Sequence, residues 1–209
     1  MSKAAQVIQR AMAAEPTSTD GRRARSAASR RKIIAAMSDL IAAGDPNPSA
    51  AAVAKHAGVG LRSVFRHFDD KDSIFREIDE IVVGAFQPVM EAPYKSDKCK
   101  DMLFELIERR AQLYEAIAPF RLATQPARKK SKFLRENYRR HYQGEKRMLD
   151  AILPDPIKTD TRIGRSILIA TSFDSWRLLR QDEELSQKDT VAAIKEVVSD
   201  IILRAGQAA

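Results

Sequence analysis

The sequence is poor in several things, and each shortage excludes a class of protein. There is one cysteine, Cys99, so neither an intramolecular disulfide framework nor a multi-cysteine zinc site can form. Eight glycines and nine prolines in 209 residues exclude collagen-like and low-complexity chains. Aromatic residues make up only 6%, so a core has to come mainly from Ile, Leu, Val and Ala. No apolar run approaches the ~20 residues that span a bilayer, and the opening segment lacks the apolar centre of a signal peptide. His56, His67 and His141 are far apart, and none sits in an H-E-x-x-H pattern. Gly-rich phosphate loops and nucleophile elbows are also missing from the sequence. These shortages lead to the expectation of a soluble, cytoplasmic protein with no metal, no cofactor and no catalytic residues. An enzyme site assembled only in space is the rival reading.

What is present is a hydrophobic content of 44% and a charged content of 31%, enough to bury a core. The length allows one large domain or two small ones. Net charge is +8 and favours a polyanionic partner. Its distribution is uneven. Residues 1–68 hold 11 basic against 4 acidic side chains, and residues 94–150 hold 15 against 8. Residues 151–209 hold 8 against 9, so the end of the chain is nearly neutral.

Apolar residues recur at helical spacing almost throughout, which predicts an all-α fold. Residues 1–14 form a short helix in this reading, and Glu15 to Gly21 is a turn-rich, flexible stretch. The basic run Arg22 to Lys32 leads into a helix with Ile33, Ile34, Met37, Leu40 and Ile41 as its apolar face, ended by Gly44. Ser49 caps a second short helix, and Gly58 occupies the position of a C′ glycine. A third helix spans about Gly60 to His67. Asp69 and Asp72 then stand three apart as a capping-box-like start for a fourth, through about Ala85. Longer helices follow. Met102 to Ile117 is closed by Pro119, and Phe133 to Leu149 by Pro154 and Pro156. Ile163 to Leu179 reads as one stripe and Val191 to Ile201 as the last. The expected organisation is a flexible basic extension at 1–25, a helix-turn-helix head at 26–85 and a helical body at 86–209.

Residues 49–68 carry the functional signal. A short helix, a glycine-containing turn and a second short helix have the spacing of a helix-turn-helix, whose second helix enters the major groove. In that second helix Val64 and Phe68 face the core. Gly60, Ser63 and His67, with Arg62 and Arg66 beside them, face outward. Arg62 can make a bidentate contact to guanine, and Ser63 is small enough to allow close approach. Lys71 in the first turn of a helix opposes the macrodipole. Either it reaches for an anion, or Asp69, Asp70 and Asp72 balance it. The run Arg22 to Lys32 is either a DNA-backbone arm or a solvated tail.

These residues resemble the DNA-binding head of TetR/AcrR-type transcriptional regulators. The likeness rests on Leu40-Ile41-Ala-Ala-Gly44, Ser49, Val53-Ala54, Ala57-Gly58-Val59-Gly60, Val64-Phe65-Arg66-His67-Phe68, Lys71 and Ile74-Phe75. The resemblance implies that Ser49 touches a phosphate and that Gly60, Leu61, Arg62 and Ser63 face bases and backbone. It implies that Phe65, Arg66 and His67 lie along the phosphates and that Lys71 clamps one more. Two positions depart from the family pattern, which often has Ser where this chain has Gly60 and Tyr where it has Phe65. Phe65 lacks the hydroxyl for a phosphate, so its ring either meets sugar or a thymine methyl or belongs to the core. Leu61 either contacts a base or packs.

The resemblance further implies a regulator, by expectation a repressor, that binds a pseudo-palindromic double-stranded operator as a homodimer and is released by a small-molecule effector. Segments 161–181 and 187–206 are expected to pair in the dimer. Phe104, Tyr114, Phe120, Phe173 and Trp176 are candidates for the effector pocket, with a purely structural core as the other reading. The run Arg128 to Lys132, with Arg135, Arg139 and Arg140, is a solvated basic face or a site for an acidic ligand. A non-specific basic nucleic-acid binder is the alternative to the regulator.

Overall fold

The computed structural model describes residue 6, residue 8 and residues 21–207. The expected helix at 1–14 and the turn-rich stretch after it lie outside the described residues, apart from Gln6, Ile8 and Gly21. Nine α-helices, and no strand, occur among the described residues. They are α1 (Gly21–Ala42), α2 (Ala50–Ala57), α3 (Leu61–His67), α4 (Lys71–Met90), α5 (Cys99–Thr124), α6 (Lys132–Ile152), α7 (Arg162–Ala170), α8 (Phe173–Arg177) and α9 (Gln187–Gln207). The helix α1 begins at Gly21, so residues 21–25 of the expected extension belong to it.

The chain divides into two compact units. One holds residues 1–88 and 115–135, and the other holds residues 89–114 and 136–209. In the first, Ile33, Ile34, Met37 and Ile41 of α1 are buried with Val53 and Ala54 of α2, Val64 of α3 and Phe68. Ile74, Ile78 and Val82 continue this core along one face of α4 at i, i+4 and i+8.

Four boundaries differ from the reading of the sequence: α4 runs past Ala85 and through Pro88 to Met90, and the other three differ each for a physical reason. Asp70 starts α4, in place of the pair Asp69 and Asp72. Its Oδ1 accepts from the Ser73 amide at 2.8 Å, and the Ser73 hydroxyl donates to the Asp70 carbonyl at 2.6 Å. Pro119 does not close α5, which runs on to Thr124. Ala116, Phe120 and Ala123 are buried on its far side, and that packing outweighs the hydrogen bond lost at the proline. Conversely, the stripe from Ile163 to Leu179 is not one helix. It breaks at Thr171 and Ser172, where the Ser172 hydroxyl caps α8 by accepting from the Ser175 amide at 3.2 Å.

In the second unit the start of α7 is packed against the preceding turn. Thr161 caps α7 by accepting from the Gly164 amide at 3.0 Å, and its own amide donates to the Lys158 carbonyl at 2.9 Å. A Cβ on Gly164 would lie 2.0 Å from that carbonyl oxygen and 2.6 Å from the Ile157 carbonyl oxygen. Both are backbone atoms and cannot swing away. Gly164→Ala is therefore expected to destabilise the protein by about 3 kcal/mol. A thermal melt should show it as a fall in Tm of roughly 6–12 °C.

Candidate nucleic-acid interface

The turn between α2 and α3 is dictated by its glycines. Gly58 adopts φ 64° and ψ 36°, the left-handed conformation that side chains with a Cβ avoid. Its amide donates to the Lys55 carbonyl at 3.3 Å, and the Val59 amide donates to the Ala54 carbonyl at 3.1 Å. That reciprocal pair is a Schellman termination, and it reverses the chain within three residues. Gly60 then precedes α3 in an extended conformation without a side-chain cap. A Cβ there would meet nothing within 4 Å, so the start of α3 faces open space.

The helix α3 shows two faces. Val64 and Phe68 are buried, as their spacing predicts. Arg62 and Arg66 are exposed, and among the described residues neither has a hydrogen-bond or ion-pair partner. Ser63 is half-buried between these faces. Leu61 and Phe65, whose placement the sequence leaves open, are both outward, with 45% and 59% of their surface exposed. Phe65 is thus not a core residue.

Around α3 the head is held by one arginine. Arg30 of α1 donates from Nη1 to the His67 carbonyl at 2.8 Å and from Nε to Glu77 Oε2 of α4 at 3.0 Å. A second bond joins its Nη2 to Glu77 Oε1. The same guanidinium lies 4.5 Å from the centroid of the Phe68 ring. So Arg30, one of the basic run Arg22 to Lys32, is not part of a solvated tail. It ties α1, the end of α3 and α4 together, and sequence spacing carries no sign of this because Glu77 lies 47 residues away.

Ser49 and Lys71 are brought to neighbouring places. The Ser49 hydroxyl oxygen caps α2 by accepting from the Ala52 amide at 3.1 Å, which leaves its proton able to donate outward. Lys71, the first residue of α4, donates to the Asn47 side-chain carbonyl, two residues before Ser49. No carboxylate among the described residues pairs with it. Asp70 is used as a cap, and Asp72 accepts from the Ser131 hydroxyl. The ammonium is therefore held by a neutral partner and has two further donors for an anion.

His67 is half-buried, and its Nε2 is buried without a hydrogen-bond partner among the described residues. Burial lowers its pKa below the ordinary 6.5, and the nearby positive charges of Arg66 and Arg30 lower it further, against a smaller opposing effect of Glu77. The folded head thus favours neutral imidazole. Unfolded chains take up the proton first as pH falls, so the stability from this group is full above about 6.5 and is lost on going lower. Thermal melts between pH 7.5 and 5.5 are expected to show Tm falling towards acid. In His67→Gln that slope should be shallower, and an unchanged slope would remove His67 as its source.

The aromatic candidates do not form one group. Tyr114, Phe173 and Trp176 are buried together, with ring centroids 5.5 Å and 6.2 Å from Tyr114. Phe104 belongs to the same unit but is half-buried, with the Lys100 and Lys195 ammoniums 5.4 Å and 5.1 Å from its ring centre. Phe120 is buried in the other unit. Sequence reasoning missed Arg110, fully buried beside the cluster, which donates to the Thr171 hydroxyl at 2.8 Å and the Glu145 carbonyl at 2.7 Å. No group of three or more His, Cys, Asp or Glu suited to a metal occurs among the described residues. No helix among them is long and apolar enough to cross a membrane.

Residues 33–78 match the family model of bacterial regulatory proteins, tetR family. That span runs from the buried face of α1 through the helix-turn-helix and into α4. Among curated proteins and among solved structures, nothing matches the chain.

Proposed function

We propose that the chain, whose residues 33–78 match the tetR family model, is a DNA-binding transcriptional regulator that acts as a homodimeric, effector-released repressor in the cytoplasm. The observation that carries this reading is the outward face of α3. Two arginines stand there without partners among the described residues, on a helix whose opposite side is locked into the core. In a folded domain, exposed cationic side chains on a short helix are free to meet the edges and phosphates of a duplex. Arg62 is the residue for a bidentate contact with guanine O6 and N7. Ser63 and Gly60 permit close approach, and Ser49, Arg66 and Lys71 hold phosphates. His67, neutral and part-buried, supports the backbone-facing end of α3. We assign residues 26–85 to this DNA-binding role and residues 86–209 to effector binding and dimerisation.

Dimer formation through 161–181 and 187–206 draws support from apolar exposure. Ile169 of α7 is 67% exposed and Leu203 of α9 is 63% exposed, and Val197 of α9 is also open. Covering the exposed part of each gains about 1–2 kcal/mol. A two-fold dimer would present two α3 helices to successive major grooves, ~34 Å apart, and read a pseudo-palindrome. The Tyr114, Phe173 and Trp176 cluster is the proposed wall of the effector site. By linkage, an effector that releases DNA must bind better to the conformation whose head separation mismatches the operator.

Selection from a random duplex library at physiological salt tests the core of this reading. A recovered two-fold motif is expected. On that site Arg62→Ala should relax the preference at one base pair per half-site, at a cost of about 1–3 kcal/mol. Lys71→Ala should weaken all duplexes alike and reduce the salt slope of the dimer by about two, one for each subunit's lost phosphate contact. Uniform, strongly salt-dependent binding with no motif would instead mark a non-specific polyanion binder. Light scattering tests the assembly. The native chain is expected at twice its monomer mass, and Ile169→Glu together with Leu203→Glu is expected at the monomer mass with helical content retained.

A further inference from the structure

The outer face of α3 is not simply basic, and its apolar half has a consequence for which bases it can read. Leu61 and Phe65 are four residues apart, so they stand one above the other on the exposed side of the helix. Both are large, and both are about half exposed. The helix therefore carries two apolar stripes. Val64 and Phe68 fill the core, whereas the Leu61 and Phe65 side chains stay 45% and 59% exposed and carry no hydrogen-bonding group. The cations Arg62 and Arg66 flank the outer stripe, and Lys71 follows it in the chain. That surrounding charge suits a polyanion, which makes a nucleic-acid groove a better occupant than an apolar protein surface.

We propose that Leu61 and Phe65 read the C5-methyl groups of thymines in the operator half-site. This rests on the reading of α3 as the helix that enters the major groove. Among the base edges exposed there, the thymine methyl is the one apolar group, so it is the feature that an alkyl and a phenyl side chain can distinguish. Spacing then constrains the sequence. Four residues of helix rise ~6 Å, and one base step rises ~3.4 Å. A helix lying along the groove thus sets its two apolar contacts about two base steps apart. Phe65 takes the place of a hydroxyl-bearing contact to the backbone with an apolar contact to a base, and the phosphate work falls to Arg66, Lys71 and Ser49.

The test uses the full chain and the duplex recovered by selection. Each thymine of the half-site is replaced in turn by deoxyuridine, which removes one methyl and leaves every hydrogen-bonding group intact. At two positions about two steps apart, binding is expected to weaken about fourfold per methyl, or about fifteenfold when both half-sites are changed together. Leu61→Ala should abolish the sensitivity at one of those positions, and Phe65→Ala at the other. Both side chains are exposed, and circular dichroism verifies that each variant keeps its helices. A selected site whose affinity is the same with deoxyuridine at every thymine overturns the methyl reading and leaves the regulator reading standing. Sensitivity that survives in both variants overturns the assignment to these two residues. If selection recovers no sequence at all, the regulator reading has failed and the proposal fails with it.

Discussion

The geometry of the head depends on the guanidinium of Arg30. Three partners from two stretches of chain meet on it: the carboxylate of Glu77, and the carbonyl of His67 with the ring of the adjacent Phe68. Each bond serves a different need. The His67 carbonyl lies in the last turn of α3, where backbone acceptors lack helical donors and a cation is favoured by the helix dipole. The Glu77 pair is two-pronged, so it fixes direction as well as distance. The Phe68 ring supplies a flat apolar support for the guanidinium plane. A seven-residue helix such as α3 has little stability of its own, since so short a helix cannot offset the cost of nucleation. Its position comes from the buried Val64 and Phe68 on one side and this arginine at its end.

That anchoring makes the outer face of α3 available. Because the core and Arg30 hold the inner face, Arg62, Arg66, Leu61 and Phe65 stay exposed on the outer one. The Schellman turn at Gly58 sets where α3 begins, and the bond from Lys71 to Asn47 draws the start of α4 to the loop before α2. Lys71 and Ser49 therefore act as one local group, although 22 residues separate them in sequence.

In the second unit, a comparable constraint appears at the break between α7 and α8. Ending a helix inside a core leaves carbonyl groups that need donors. Arg110 and the Tyr114 hydroxyl provide them, both donating to the Thr171 carbonyl at 3.2 Å. This explains a fully buried arginine beside an aromatic cluster. It also explains why Tyr114, Phe173 and Trp176 are gathered there, since they surround the residues that interrupt the stripe.

Local signals were largely legible in the sequence. The helical periodicity, the Ser49 cap, the Gly58 turn and the division of α3 into a Val64–Phe68 side and an Arg62–Arg66 side all follow from residues within four or five positions of one another. So does the tetR-like pattern, which is itself a run of such local features. What only the tertiary structure decided lies at longer range. Periodicity put Leu61 beside Phe65 but could not say whether that pair faced inward, because the answer depends on what α1 and α2 already cover. The basic run Arg22 to Lys32 looked uniform until Glu77 and the His67 carbonyl selected Arg30 from it. Pro119 and the Ile163 to Leu179 stripe were misread for the same reason. Burial of Ala116, Phe120 and Ala123 carried α5 past a proline, and donors from α5 made it possible to interrupt an apolar stripe that would otherwise continue. Turns and caps are settled by neighbours along the chain, but burial and ion pairing are settled by neighbours in space, and those the sequence names only after it has folded.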